Sequence, residues 1–149
     1  MIDFCSDDKR LLGVGIVPLD DPEYAIAEAE WAIDNGLRAI WLPHKAPIDR
    51  SPGHVELEPF WQLLADSNTP FVLHVGGSPL QVLGSWSNNG RAATKDWMGG
   101  GENVRTKDAA LLHQPPEIFV SMLVLDGVLE RHPELKGAAV ELGAGWVPE

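Results

Sequence analysis

The sequence is short of cysteine, of basic residues and of long apolar runs. A single cysteine, Cys5, cannot close an internal disulfide, which fits a reducing compartment. Lys and Arg together number eleven against 22 Asp and Glu, a net charge of −11. The eleven are scattered. A protein that binds nucleic acid through phosphates needs a basic patch, so DNA, RNA and anionic membranes are poor partners. No run of about 18 apolar residues exists, so no membrane span is expected. Met1–Arg10 is polar and acidic and lacks the basic and apolar regions of a signal peptide. The expectation is a cytoplasmic protein. No GxGxxG or Walker sequence follows an apolar run, and Gly99-Gly100-Gly101 reads as flexible loop. No GxSxG elbow is present, and Cys5 has no histidine nearby in sequence. Nucleotide binding and nucleophilic-triad chemistry therefore lack support.

What is present is a 149-residue chain, 44% hydrophobic, long enough for one globular core. Short apolar runs alternate with helical patterns. Leu11–Leu19 reads as a strand. Asp20, Asp21 and Pro22 open a helix over Glu23–Asn35, with Ile26, Ala29 and Ile33 on one face, and Gly36 stops it. Arg38–Leu42 is a second strand. Pro43–His54 is a loop. Glu56–Ser67 is a helix, with Leu57, Phe60, Trp61 and Leu64 at i, i+3, i+4 and i+7. Phe71–Val75 is a third strand. Gly76–Leu112 is a long Gly-, Ser- and Asn-rich loop of the kind that usually carries function. Glu117–Arg131 reads as one widely apolar helix, buried or at a subunit contact. Gly137–Leu142 is a fourth strand.

Apolar strands alternating with amphipathic helices imply parallel pairing. The fold class is α/β, with about four parallel strands forming part of a (β/α)8 TIM-type barrel. A closed barrel takes about 250 residues, and here no helix follows the last strand, so residues 1–149 read as one partial barrel domain. Open sheet edges and an incomplete core predict self-association into homo-oligomers or aggregates.

In such folds chemistry gathers at the carboxyl ends of the strands. His74 interrupts an apolar strand before Gly76-Gly77, as a metal-binding imidazole or as a satisfied structural histidine. Glu141 ends the fourth strand, as a metal ligand, a general acid/base or half of an ordering ion pair. His44 and Lys45 follow the second strand and could contact an anionic substrate or simply be solvated. His54, His113 and His132 sit in loops or at helix ends. Trp86, Trp97 and Trp146 fall in loop segments, as packing or as an aromatic wall around a substrate.

Three segments carry a resemblance. They are RLLGVGIVPL (Arg10–Leu19) with Gly36–Leu42, PFVLHVGG (Pro70–Gly77) and GVLERHPELKGAAVELGAGWVP (Gly127–Pro148). In order and spacing the chain resembles the amidohydrolase-related family of the carboxymuconate-semialdehyde decarboxylase type. The stretch GVLERHPELK before a strand is the most specific piece. The resemblance implies a (β/α)8 barrel with one divalent metal, commonly zinc, and a small-molecule substrate. It makes the four strands the third to sixth of eight, the middle portion of a longer domain. The family's His-x-His pair and late aspartate then lie outside this chain. His74 matches the family's metal-binding histidine. Glu141 stands where many relatives carry a catalytic histidine in a glycine turn, which puts that histidine's role on the glutamate or marks a different activity. The implied function is a metal-dependent hydrolase or non-oxidative decarboxylase acting on a small organic or aromatic acid. The alternative is a catalytically inactive barrel fragment serving as a binding or assembly module. An open-sheet small-molecule binder ranks below both. With one histidine and one carboxylate, the chain alone is expected to bind metal poorly.

Overall fold

A computed structural model of the chain describes residues 1–45, 47–75, 90 and 111–145. In chain order the elements are α1 (Ile2–Ser6), β1 (Val14–Ile16), α2 (Pro22–Asp34), β2 (Ala39–Trp41), a 3-10 turn (Val55–Leu57), α3 (Glu58–Asp66), β3 (Phe71–His74), α4 (Gln114–Leu125), α5 (Val128–Arg131) and β4 (Gly137–Val140). The strands form one parallel sheet in the order β1-β2-β3-β4. Among the described residues no helix is long and apolar enough to cross a membrane. Of the loop read over Gly76–Leu112, all but Gly90, Leu111 and Leu112 lies outside the described residues, as do Gly99-Gly100-Gly101, Trp86, Trp97 and Trp146.

Local chemistry sets the helix boundaries. The Asp21 carboxylate accepts the Tyr24 N–H at 3.1 Å, and Pro22 occupies the first turn of α2, where a missing N–H does no harm. The buried face of α2 is Ala25, Ala29 and Ala32, with Ile26 and Ile33 packed at its flanks. This rotates the expected stripe. Small side chains take the closest approach to the core, and the isoleucines fill the wider gaps beside it. The second helix begins later than its periodicity predicts. Pro59 cannot donate to the Val55 carbonyl, so the Glu58 N–H takes that acceptor and the entry tightens to a 3-10 turn.

The single helix expected over Glu117–Arg131 is two. α4 runs Gln114–Leu125 with Asp126 as its cap, and Gly127 (φ +73°) turns the chain before α5. Glycine takes this left-handed conformation without the Cβ clash, which is why the break falls there. Phe119, Leu123 and Val128 are buried, whereas Ile118, Val124 and Leu125 stay exposed. α5 is tied to α3. Arg131 donates from Nε and Nη2 to the two Glu58 oxygens at 2.7 and 2.8 Å. The buried His132 lies 2.8 Å from Glu58 Oε1 through Nε2. The guanidinium bonded to Glu58 holds that carboxyl below the ordinary range.

One core joins these pieces. Val17, Leu19, Ile40, Leu42, Phe71 and Leu73 meet Phe60, Trp61 and Leu64 of α3, the alanines of α2 and Phe119 and Leu123 of α4. Side chains alternate along a strand, and parallel register partners share a face. Ile40 and Phe71 are partners on the helix side. Gly137 pairs with Phe71, and a Cβ there would stand 2.2 Å from the Phe71 ring, so only glycine lets that ring lie against β4. The other face carries Ile16, Trp41, Val72, His74 and Val140, linked by the register pairs Ile16–Trp41, Trp41–Val72 and His74–Val140. Ile16 is 57% exposed, and all four residues of β4 are exposed. Among the described residues, α2, α3 and α4 cover one face of the sheet and leave the opposite face open at Ile16 and Val140.

Candidate active site

The open face brings together the polar groups at the carboxyl ends of β3 and β4. Val75 N–H donates to the Val140 carbonyl at 3.3 Å, which carries the β3–β4 ladder one step past the strand ends. That register sets His74 and Glu141 side by side, with His74 Nε2 and Glu141 Oε2 3.6 Å apart. Both are open to solvent, at 39% and 62% side-chain exposure, so a ligand can reach them.

The tautomer of His74 follows from its other nitrogen. Nδ1 lies 2.7 Å from the Val75 carbonyl oxygen, which can only accept, so Nδ1 carries the hydrogen. In the neutral ring Nε2 then presents a lone pair. That lone pair faces a carboxylate oxygen at a distance too long for a hydrogen bond. Two acceptors this close are reconciled by a proton, a metal ion or a bridging water that donates to both. Fixing one imidazole nitrogen on a backbone carbonyl is also how proteins orient metal-binding histidines.

Glu141 has φ +61°, a left-handed conformation that a Cβ-bearing residue disfavours. Gly143, two residues on, has φ +66°. The turn after β4 therefore holds a glutamate where glycine would be at ease, which keeps a carboxylate opposite His74. Such strain costs on the order of 1–3 kcal/mol. Glycine's greater chain entropy in the unfolded state takes back about 0.5–1 kcal/mol. Glu141→Gly is therefore expected to raise stability by about 1 kcal/mol while deleting the site's carboxylate. Glu141→Ala removes the same carboxylate and keeps the strain. Urea melts of both variants check this, and a Glu141→Gly no more stable than Glu141→Ala would refute the strain argument.

His44, expected as substrate-binding or solvated, is buried and so not solvated. Burial pushes its pKa down, which keeps the ring neutral at physiological pH. Its Nδ1 is buried without a hydrogen-bond partner. Lys45 is exposed. Of the other histidines, His54 accepts the Glu56 N–H at 3.3 Å and so caps the 3-10 turn, and His113 lies 3.7 Å from Glu117 on the same helix. Neither joins the site.

The residue that sequence reasoning passed over is Trp41. Its ring meets the His74 ring edge-on, with centroids 6.0 Å apart and planes at 66°. Its Nε1–H is buried and has no acceptor. The signal was available, since Ile40 and Leu42 flank Trp41 and alternation turns it to the face opposite theirs.

Among the described residues no group of three or more His, Cys, Asp or Glu side chains could hold a metal. His74, with its free Nε2, fits as one ligand of a larger set. A separate cavity of about 640 Å³ is lined by Ser51, His54, Glu58, Asp126 and Arg131 among others. Its charges are already engaged, Arg131 with Glu58 and Asp126 with Ser51, and they brace loop against helix.

A family model decides what kind of chain carries this arrangement. The amidohydrolase model matches residues 1–149, the whole length. The chain belongs to the amidohydrolase family. No curated protein matches it at a significant level. Among solved structures, an amidohydrolase from Mycobacterium avium subsp. paratuberculosis K-10 superposes over 97% of the chain with TM-score 0.75 and 25% identity. A 2,6-dihydroxybenzoate decarboxylase from Rhizobium matches 97% of the chain with TM-score 0.68 and 19% identity. A dihydroxybenzoic acid decarboxylase from Polaromonas sp. JS666, solved with manganese and the inhibitor 2-nitroresorcinol, matches 93% with TM-score 0.63 and 19% identity. At 19% identity these two likenesses speak for the fold alone. The present chain spans 35%, 43% and 40% of the length of those three structures. Its four parallel strands are part of a (β/α)8 barrel, as the alternating pattern predicted.

Proposed function

We propose that residues 1–149 form one partial barrel domain, the middle portion of a metal-dependent enzyme that hydrolyses or non-oxidatively decarboxylates a small organic or aromatic acid. One observation carries this reading: the lone pair of His74 Nε2 and the carboxylate of Glu141 face each other at the carboxyl end of a parallel sheet. His74 would hold a divalent cation, with zinc the first candidate. When bound, the cation withdraws charge from a substrate oxygen and lowers the pKa of water. The manganese in the Polaromonas structure keeps a second metal in view.

Glu141 is the acid/base. For decarboxylation it delivers a proton to the carbon that loses its carboxylate, as the C–C bond breaks and carbon dioxide departs. For hydrolysis it takes a proton from the attacking water. His44, neutral and buried, offers a hydrogen-bonding nitrogen to the substrate rather than a charge. The open face beside them, with Ile16, Val72 and Val140, suits a flat apolar body.

The test supplies the protein carrying this chain with zinc or manganese and 2,6-dihydroxybenzoate, and follows carbon dioxide and resorcinol. Their equimolar release, lost in Glu141→Gln, supports the decarboxylase branch. Turnover of ester or amide substrates without carbon dioxide supports the hydrolase branch. Neither product with either metal leaves the second reading, a binding or assembly module. That reading is favoured by the scarcity of metal donors among the described residues and the exposed β4.

A further inference from the structure

We propose that the indole N–H of Trp41 is a substrate-positioning donor, which holds an anionic oxygen of a small carboxylate-bearing ligand beside His74. The inference rests on the site reading above and adds the group that reads the substrate. Trp41 lies on β2, and its register partner is Val72, two residues before His74 on the neighbouring strand. Strand alternation therefore puts both rings on the open face, and they meet edge to face at 6.0 Å. The indole Nε1–H is shut off from solvent and donates to nothing. Buried donors are nearly always paired, because an unmet one forfeits its hydration and gains nothing.

A second unmet group is nearby in sequence. His44 Nδ1 is also buried and unpaired, three residues further along the chain. An unmet donor on a ring that meets the His74 ring edge-on describes a place built to be completed by a ligand. The ligand's chemistry follows from that donor's. Trp Nε1–H can only donate, so it needs an acceptor oxygen. A neutral N–H can hold an anionic oxygen through a charge-assisted hydrogen bond. Such a donor also rejects ligands that lack the oxygen, because binding them leaves it unmet.

The six tryptophans give six indole N–H signals in a nitrogen-correlated NMR spectrum, and the one missing in Trp41→Phe belongs to Trp41. The zinc-loaded protein carrying this chain is titrated with 2,6-dihydroxybenzoate and, in parallel, with resorcinol, which lacks the carboxylate. The Trp41 signal is expected to move saturably with the acid and to stay still with resorcinol. Trp41→Phe, which keeps an aromatic ring against His74, is expected to bind the acid about 10- to 100-fold more weakly with its zinc content unchanged. Binding of the acid with the Trp41 signal unmoved and the variant's affinity intact overturns this inference and leaves the site reading standing. No binding of the acid by the wild-type protein overturns both. The signal is read in the wild-type protein, so the outcome does not depend on the variant folding.

Discussion

Trp61→Ala is expected to unfold most of the molecule's stability margin. Trp61 is fully buried on α3. Its ring packs edge-on against Phe60 at 5.1 Å and against Phe71 of β3 at 5.7 Å, and its Nε1–H donates to the Pro52 carbonyl at 2.9 Å. The residue therefore fastens three pieces at once: its own helix, the central strand that ends in His74, and the loop between β2 and α3. Truncating a buried aromatic to alanine costs about 3–5 kcal/mol. The orphaned Pro52 carbonyl adds on the order of 1 kcal/mol. A domain of ordinary stability has only about 5–15 kcal/mol in total. Trp61→Phe keeps most of the volume and loses the hydrogen bond, so it should cost about 1–2 kcal/mol. Urea denaturation followed by circular dichroism measures both, and a loss under about 1 kcal/mol for the alanine variant contradicts the packing described above.

That such a residue could be named in advance shows where the sequence speaks plainly. Leu57, Phe60, Trp61 and Leu64 fall at helical spacing, and all four are buried. Burial leaves a periodic mark because one face of a helix must satisfy it. Boundaries leave a fainter one. Leu11–Leu19 reads as one strand, but the ladder covers only Val14–Ile16. The last rung is Val17 N–H to the Trp41 carbonyl, and Leu19 is buried as firmly as a strand residue, so apolarity runs past the point where pairing stops. α1 went unread because it is five residues long and no residue of it is fully buried, so it has no apolar face long enough to mark. The break at Gly127 was hidden for the opposite reason. α4 is apolar on nearly every side, so no change of phase announces its end.

The site divides along the same line. His74 and Glu141 stood out as polar residues closing apolar strands, and parallel register then brought them together. The left-handed backbone at Glu141 could not be read, since the local rule for that conformation asks for glycine. A position that breaks a local rule yet is held by its surroundings is where function is expected to have overruled stability. His44 was legible as a position but not as an environment. Its loop holds prolines and a lysine and reads as solvated, while the fold turns the imidazole inward.

His74→Ala is expected to cost the protein carrying this chain its metal while leaving its fold intact. The side chain is 39% exposed, and its contacts among the described residues are one bond to the adjacent Val75 carbonyl, the edge of Trp41 and the Glu141 carboxylate 3.6 Å away. Substitutions of that kind change stability by roughly 0.5 kcal/mol, or somewhat more where a ring contact goes. Metal binding has no such reserve. Catalytic zinc sites commonly use three protein ligands, and losing even a group that only orients a ligand costs about 10- to 100-fold in affinity. Losing a ligand outright should leave the ion too weakly held to survive dialysis. About one zinc per wild-type chain and none in the variant is the expected elemental analysis, with activity falling with it. Melting curves separate this from a folding defect. An ion that binds only the folded state stabilises it by about 2.7 kcal/mol at a hundredfold excess over its Kd. Zinc should therefore raise the wild-type melting temperature and leave that of His74→Ala where it was. The same rise in both proteins would mean that the ion sits elsewhere.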